Sequence, residues 1–384
     1  MRIAIFSEVY WPMVSGVGVT LDRLVGALES RGHAVRVYSP DYALPAGRAE
    51  RPEAHRSPCV PLFLYPDVHW AFPRPREIAA DLALFRPDVV HVATEFAMGL
   101  AGVKAAGLLG IPVIASAHTD YEKYARRYGV AWALRVGWIY LRWFYRHADR
   151  VLVPSRMFER FLHTRGVHHT GLWTRGVDPA HFHPRFRSAE WRARFGAGPD
   201  DLLVTYIGRL AREKDLPRLI AAWRGLGARR GSAQLVLVGQ GPLEAELRSG
   251  GLPGVHVAGL LEGRALAEAY ASADLFVFPS ATETFGNSLL EAMASGLPSL
   301  AVRAGGVLEF ARHDENALLV NPGSTAALAT GLERLLGDAA LRARLGRGGL
   351  ATAAGRGWDA IYDDLVREYA AVAARLTARR EQAA

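Results

Sequence analysis

Two doubly wound α/β domains in one chain are what this sequence predicts, and three observations predict them. Apolar runs of strand length alternate with segments of helical period, the pattern of parallel βαβ units. The alternation runs out near residue 153 and starts afresh near residue 202. At 384 residues, half of them apolar, the chain is too long for one ordinary core and able to fill two. Two such Rossmann-like domains facing across a cleft bring the carboxyl ends of both sheets together, and ligands bind at such edges.

The elements follow in order. Arg2–Phe6 reads as the first strand, Val17–Ser30 as a helix stopped by Gly32, and Ala34–Ser39 as the second strand. Asp41–Arg56, rich in Pro, Ala and charge, reads as a surface loop. Further strands fall at Asp88–Val92, Pro112–Ser116 and Arg150–Val153, with helices between them. From His168 to about Arg194 the chain is rich in His, Pro and Arg and is expected to link the domains. The second series of strands is Leu202–Gly208, Gln234–Gly239, Val255–Ala258, Asp274–Pro279 and Pro298–Val302. The expected division is a first domain of residues 1–178, a second of 179–357, and a final helix over 358–384. That helix has no following strand to serve and is expected to pack back on the first domain.

Composition narrows the function. The one cysteine, Cys59, excludes an internal disulfide framework and suits a reducing compartment. No signal peptide is visible, since Ile3-Ala4-Ile5-Phe6 is broken by Glu8 and Pro12. No apolar run approaches the ~20 residues that cross a bilayer. The expectation is a cytoplasmic protein, soluble or peripheral at the inner face of the cell membrane. The net charge is +8, and residues 123–165 hold ten bases and two acids, an excess equal to the whole. Such a field attracts nucleotides, anionic lipids or nucleic acid. No helix-turn-helix, zinc-finger or RNA-binding pattern supports nucleic acid. Lysine is rare (Lys104, Lys123 and Lys214), so each one merits separate inspection.

The most informative stretch is Ala271–Ala301, ASADLFVFPSATETFGNSLLEAMASGLPSLA. It reads as a buried strand, a polar loop, and a helix that opens near Phe285 and is capped by Gly296. Backbone N–H groups at Gly286, Asn287 and Ser288 lack intrahelical partners there and can hold a diphosphate without a metal. Glu283 in the loop can reach a sugar ring. Glu291, inside the helix and separated by seven residues, can accept from vicinal ribose hydroxyls. A surface glutamate followed by an ordinary helical one would give the same pair. With its surroundings, however, the stretch resembles the retaining glycosyltransferases of family 4, which have the two-domain GT-B architecture. Glu283 and Glu291 match that family's Glu-(seven residues)-Glu motif, and Ala304-Gly305-Gly306 with Glu309 match its next segment. The resemblance implies that Glu283 contacts the donor sugar, Glu291 the ribose, and amides around Phe285, Gly286 and Asn287 the donor phosphates.

A second site lies in Tyr206-Ile207-Gly208-Arg209-Leu210-Ala211-Arg212-Glu213-Lys214. The glycine permits a sharp turn after the strand, and the bases Arg209 and Lys214, five apart, can converge on a diphosphate. A solvated helix entrance would look similar, and Arg212 reads as just that. The stretch is similar to the family's Gly-Arg…Glu-Lys motif, which implies that Arg209 and Lys214 stabilise the leaving nucleoside diphosphate. No Asp-x-Asp follows a strand, which argues against metal-dependent sugar transfer.

The first domain contributes less distinct signals. Gly16 and Gly18 follow the first strand, but position 21 is Leu where a dinucleotide fingerprint has its third glycine. Family resemblance implies that Gly16 lets the backbone approach donor and acceptor, although this chain has Ser15-Gly16 where many relatives pair glycines or Asn-Gly. His118 ends the strand Val113–Ala117; such a histidine is often structural, but the resemblance implies that it touches the donor sugar. His168, His169, His181 and His183 lack a carboxylate or Cys framework and read as solvated rather than as a metal site. Leu172-Trp173-Thr174-Arg175-Gly176-Val177-Asp178, with His118-Thr119-Asp120, resembles the branch of GDP-mannose-dependent α-mannosyltransferases and sulfoquinovosyl- or glucosyl-lipid synthases.

The expected function is therefore retaining, metal-independent and cofactor-free transfer of a hexose, mannose from GDP-mannose, to a lipid or glycan acceptor. A UDP-sugar-dependent glycolipid synthase is the alternative donor reading. A nucleotide-sugar epimerase, an NAD-dependent oxidoreductase and a non-catalytic binding module are the alternatives of other classes. Peripheral contact with anionic membrane is expected through the basic aromatic segment Lys123–Arg165. Within it Trp132–His147 reads as a helix with Arg135, Arg142 and Arg146 on one stripe and Trp132, Val136, Tyr140, Trp143 and Phe144 beside and behind it. A core helix with an arginine stripe facing water would give the same pattern.

Overall fold

The computed structural model describes residues 1–13, 16–42, 51, 53–62, 65–122 and 131–383. They form two compact units: the first takes the described residues up to Thr119, then those up to Thr174 and the C-terminal segment from Asp359, and the second takes Asp120–Glu122 and Arg175–Trp358.

The first unit is built on a seven-stranded sheet in the order β3-β2-β1-β6-β7-β8-β9. Its strands are β1 (Arg2–Phe6), β2 (Ala34–Pro40), β3 (Ala54–Ser57), β6 (Val89–Val92), β7 (Val113–Ser116), β8 (Arg150–Val153) and β9 (Thr170–Leu172), and every pairing is parallel. Cys59–Leu62 (β4) and Tyr65–Ala71 (β5) add an antiparallel hairpin. Central strands are covered on both faces, which is why they read as unbroken apolar runs. Among the helices, α1 (Gly16–Ser30) follows β1, α2 is Pro75–Phe85, and α3 (Ala97–Leu109) follows β6. Helix α4 is Leu134–Tyr145 and α5 is Arg156–Thr164, the latter capped by the Ser155 hydroxyl on the Phe158 amide.

Two sequence expectations need correction here. The His168–Arg194 stretch is not simply a linker: Thr170–Leu172 pairs with β8 as the edge strand of the first sheet, too short for periodicity to reveal. Asp41–Arg56 is not all loop, because Ala54–Ser57 pairs with β2; residues 43–50 and 52 lie outside the described residues.

At the carboxyl end of the first sheet Glu8 is buried, and its carboxylate accepts from the Thr94 hydroxyl and the Met98 amide in the first turn of α3. Burial pushes this carboxyl above its ordinary range, and those two hydrogen bonds pull against it.

The second unit repeats the plan in six parallel strands, β12-β11-β10-β13-β14-β15. They are β10 (Leu203–Ile207), β11 (Gln234–Val238), β12 (Val255–Gly259), β13 (Leu275–Phe278), β14 (Ser299–Val302) and β15 (Leu318–Val320). Alternate residues of β11 and β13 face opposite layers. Leu235, Leu237, Leu275 and Val277 pack with Leu219, Trp223 and Leu332, whereas Val236, Val238, Phe276 and Phe278 pack with Leu289 and Met293. The helices are α6 (Ala189–Ala193), α7 (Leu216–Leu226), α8 (Glu244–Ser249), α9 (Gly263–Ser272), α10 (Asn287–Ala294), α11 (Thr325–Gly337) and α12 (Ala339–Ala354).

The last helix, α13 (Trp358–Ala383), lies on the first unit. Arg31 reaches Asp359 at 3.0 Å and Asp363 at 2.9 Å, and Arg150 reaches Glu368 at 3.3 Å. No helix among the described residues is long and apolar enough to cross a membrane.

Candidate functional site

In the second sheet the winding direction reverses between β10 and β13, so the loops leaving these two strands diverge at the carboxyl edge. Open α/β sheets bind ligands at this point. The loop after β10 carries Arg209 and Lys214, and the loop after β13 carries Glu283. Strand order thus makes neighbours of residues 69 apart: Lys214 Nζ donates to Glu283 Oε1 at 2.5 Å. Both side chains are only 19% exposed, so this pair is shielded more than a surface ion pair. The Thr282 hydroxyl ties the same two loops by donating to the Glu213 carbonyl at 3.1 Å. Arg209 stands 3.9 Å from the buried Glu213 carboxylate, and its carbonyl accepts from the Tyr206 hydroxyl at 2.9 Å.

Helix α10 starts beside this pair. Gly286 precedes it at φ +102°, a conformation a side chain would strain, and a Cβ there would meet Val307 Cγ1 at 2.6 Å. Among the described residues no backbone carbonyl accepts from the amides of Gly286, Asn287 or Ser288. These donors and the positive end of the helix suit an anion. The Phe285 ring is buried and packs tilted against Phe310 at 5.1 Å, so its side chain is spent on the core. The Asn287 side-chain oxygen is enclosed and has no hydrogen-bond partner among the described residues. Glu283 itself is held from behind: its carbonyl accepts from the Gly306 amide at 2.8 Å.

Glu291, within α10, accepts from the Tyr270 hydroxyl at 2.9 Å. Burial first, and the neighbouring carboxylate second, push that phenol well above its ordinary range, so it stays a donor.

In the first unit Gly16 begins α1, and a Cβ added to it would meet nothing within 4 Å among the described residues. The fold does not demand glycine there. His118 follows β7, half-buried, with its Nε2 at 2.8 Å from Ser116 Oγ and its ring against Trp173 at 5.4 Å. The other histidines have separate partners: His169 bonds the Tyr145 carbonyl and His183 the Arg185 amide, while His168 packs on His163 and His181 on Phe182. They are more engaged than a solvated cluster would be.

This geometry has known counterparts. Residues 14–181 match the description Glycosyltransferase Family 4, and residues 201–338 match Glycosyl transferases group 1. A GDP-mannose-dependent alpha-mannosyltransferase of Mycolicibacterium smegmatis is 36% identical over 99% of this chain and 100% of its own. The chain belongs to glycosyltransferase family 4. It is a retaining hexosyltransferase with the GT-B fold. Sulfoquinovosyl transferase SQD2 of Arabidopsis thaliana is also similar, 34% identical over 90% of this chain and 69% of its own. In fold, the transferase is similar to the sucrose-phosphate synthase of Thermosynechococcus elongatus, with a TM-score of 0.78 at 23% identity over 98% of this chain and 100% of that one.

Of the residues singled out in the transferase's sequence, Arg209, Lys214, Glu283, Gly286 and Asn287 gather at one edge of the second sheet, with Glu291 one helix face away on Tyr270. Gly16 and His118 belong to the first unit. Tyr270, Thr282 and Tyr206 were not legible as site residues. In sequence each is an ordinary helix, loop or strand residue, and only the fold turns its hydroxyl toward a site carboxylate or loop carbonyl.

Proposed function

We propose that this transferase moves mannose from GDP-mannose to a lipid or glycan acceptor, keeping the anomeric configuration and using no metal. The observation that carries the reading is the Lys214–Glu283 pair beside the amides at the start of α10, from which no backbone carbonyl accepts among the described residues. A diphosphate resting on those amides lies where Lys214 can turn from Glu283 to a phosphate oxygen, with Arg209 as a second cation. Positive groups on the leaving diphosphate lower the barrier to breaking the glycosidic bond. Glu283, released from the ammonium, meets the sugar, and Glu291, fixed by Tyr270, accepts from the ribose hydroxyls. By the family resemblance His118 meets the donor sugar, and Gly16 leaves room for close backbone approach. The acceptor enters on the face the diphosphate leaves, and a departing phosphate oxygen takes its proton.

Mannose and GDP are favoured by the GDP-mannose-dependent relatives that match this chain along nearly its full length. A UDP-sugar and a glycolipid product are the second reading, favoured by the sulfoquinovosyl relative and by an alpha-monoglucosyldiacylglycerol synthase of Streptococcus pneumoniae that is 30% identical over 78% of this chain. The test is a panel of nucleotide-sugars with product mass spectrometry, repeated in EDTA, with the anomeric configuration read by NMR. Transfer from a UDP-sugar alone selects the second reading. Inversion, or activity lost in EDTA and restored by a divalent ion, refutes the mechanism.

A lipid acceptor fits the surface of α4. Trp132, Val136, Ile139 and Trp143 are exposed alongside Arg135, Arg142 and Arg146, whereas Phe144 faces the core. The apolar residues expected beside and behind the arginine stripe are thus largely outside, a mixture suited to an anionic lipid surface. Lys123, Arg126 and Arg127 lie outside the described residues. Each base near such a surface contributes about 1 kcal/mol. The protein is expected to sediment with anionic liposomes at low salt and to be released at high salt. Retention in the supernatant at low salt refutes docking.

A further inference from the structure

His118 stands at one end of a hydrogen-bonded chain that crosses the first sheet and ends in the C-terminal helix. Its Nε2 lies 2.8 Å from Ser116 Oγ. Ser116 Oγ lies 2.9 Å from His91 Nε2, and His91 Nδ1 lies 2.7 Å from the Tyr369 hydroxyl. Ser116, His91 and Tyr369 are at most 1% exposed. Trp173 closes the side of this chain, its ring edge-on to both imidazoles at 5.4 Å. Residues 91, 116, 118 and 369 come from β6, β7, the loop after β7 and α13, so only the folded first unit assembles them.

Proton counting gives this chain a direction. A buried hydroxyl must donate somewhere, and among the described residues the Tyr369 phenol has His91 Nδ1 as its hydrogen-bond partner. Burial pushes the phenol far above its ordinary range, so the proton stays on the oxygen. Tyr369 therefore donates to His91 Nδ1. The neutral His91 ring then carries its own proton on Nε2 and donates it to Ser116 Oγ. Ser116 has one proton, and the remaining nitrogen in reach is His118 Nε2, so it donates there. Reversing every bond would leave the Tyr369 hydroxyl buried with nothing to donate to, and that penalty holds the polarity.

We propose that Tyr369, through His91 and Ser116, fixes His118 as the tautomer with its proton on Nδ1, and that these three are positioning residues for sugar transfer. The inference rests on the reading of His118 as a donor-side residue. It also gives the C-terminal helix a task in the reaction: the helix that docks through Arg31 and Arg150 supplies the phenol that polarises the chain.

The experiment uses the full-length protein. Long-range ¹H–¹⁵N correlation spectra of histidine-labelled protein report which ring nitrogen is protonated, with His118 assigned by its loss in His118→Gln. In the wild type, His118 should show a protonated Nδ1 and an acceptor Nε2. Tyr369→Phe, which keeps the ring packing, and Ser116→Ala should both convert this to a mixture of tautomers, and Ser116→Thr should restore the wild-type pattern. Turnover should follow: kcat about tenfold lower in Tyr369→Phe and Ser116→Ala with the donor KM within about twofold, as expected when a reacting group loses orientation but not binding. A wild-type His118 protonated on Nε2 overturns the proposal, as does a tautomer pattern unchanged in both Tyr369→Phe and Ser116→Ala. Wild-type turnover in His118→Gln counts instead against the donor-side reading of His118, and the ring spectra then judge the relay by themselves.

Discussion

Gly306→Ala isolates the positioning of Glu283 from its chemistry. Gly306 lies against the back of the loop that carries Glu283, and a Cβ there would stand 2.0 Å from the Thr284 carbonyl oxygen and 2.5 Å from Phe285 Cα. Both obstacles are backbone, so no flexible side-chain end can swing away. Restoring an ordinary 3.4 Å contact from 2.0 Å moves the loop by about 1.4 Å. Overpacking of this kind costs about 1–3 kcal/mol of stability, or roughly 2–12 °C in Tm for a unit of this size. A shift of about 1 Å in a reacting group costs about 10²-fold in rate. Gly306→Ala is therefore expected to remain folded while kcat/KM for transfer falls about a hundredfold. The Lys214–Glu283 contact should be lost as well, since the loop moves and the β10 side does not. Steady-state transfer kinetics and thermal unfolding read the rate and the stability. A variant within threefold of wild-type kcat/KM and with unchanged Tm would show that the loop has slack and that Glu283 is not held from behind.

Three further outcomes test other parts of the argument. Gly16→Val should leave Tm within about 1 °C, because no described residue lies within 4 Å of its Cβ position, yet lower kcat/KM at least about tenfold if that space belongs to a substrate; equal kinetics would remove Gly16 from the site. Lys214→Ala should weaken GDP binding by the about 1.5–3 kcal/mol of a charge-assisted hydrogen bond, or about 13- to 160-fold in Kd, measured by calorimetry. Glu8→Gln tests the buried carboxyl of the first sheet. Its folded-state pKa is raised, so its contribution to stability is full below the unfolded value and is lost as pH rises through the folded one. The amide cannot lose it, and the Tm of Glu8→Gln relative to wild type should rise as pH is raised above the ordinary carboxyl range; a flat difference would mean that the Thr94 and Met98 hydrogen bonds cancel the effect of burial.

By itself the sequence determined the two-sheet plan and named the residues of the candidate site. Both are local properties. Strand runs such as Leu275–Phe278 and helix starts such as Gly286-Asn287 are written in consecutive residues, and Glu283, Glu291, Arg209 and Lys214 stand at fixed short offsets from them. Two short strands, Thr170–Leu172 and Ala54–Ser57, were lost because neither Thr-Gly-Leu nor Ala-His-Arg-Ser carries the apolar run that marks a buried strand. What only the tertiary structure decided is which side chains meet. Lys214 reaches Glu283 because β10 and β13 are neighbours in the sheet, and Tyr270 reaches Glu291 because α9 and α10 pack on one face. Tyr369 reaches His91, 278 residues away, because the last helix returns to the first sheet. Strand order and helix docking are set by how whole apolar faces are buried together, and no short window of sequence contains that information.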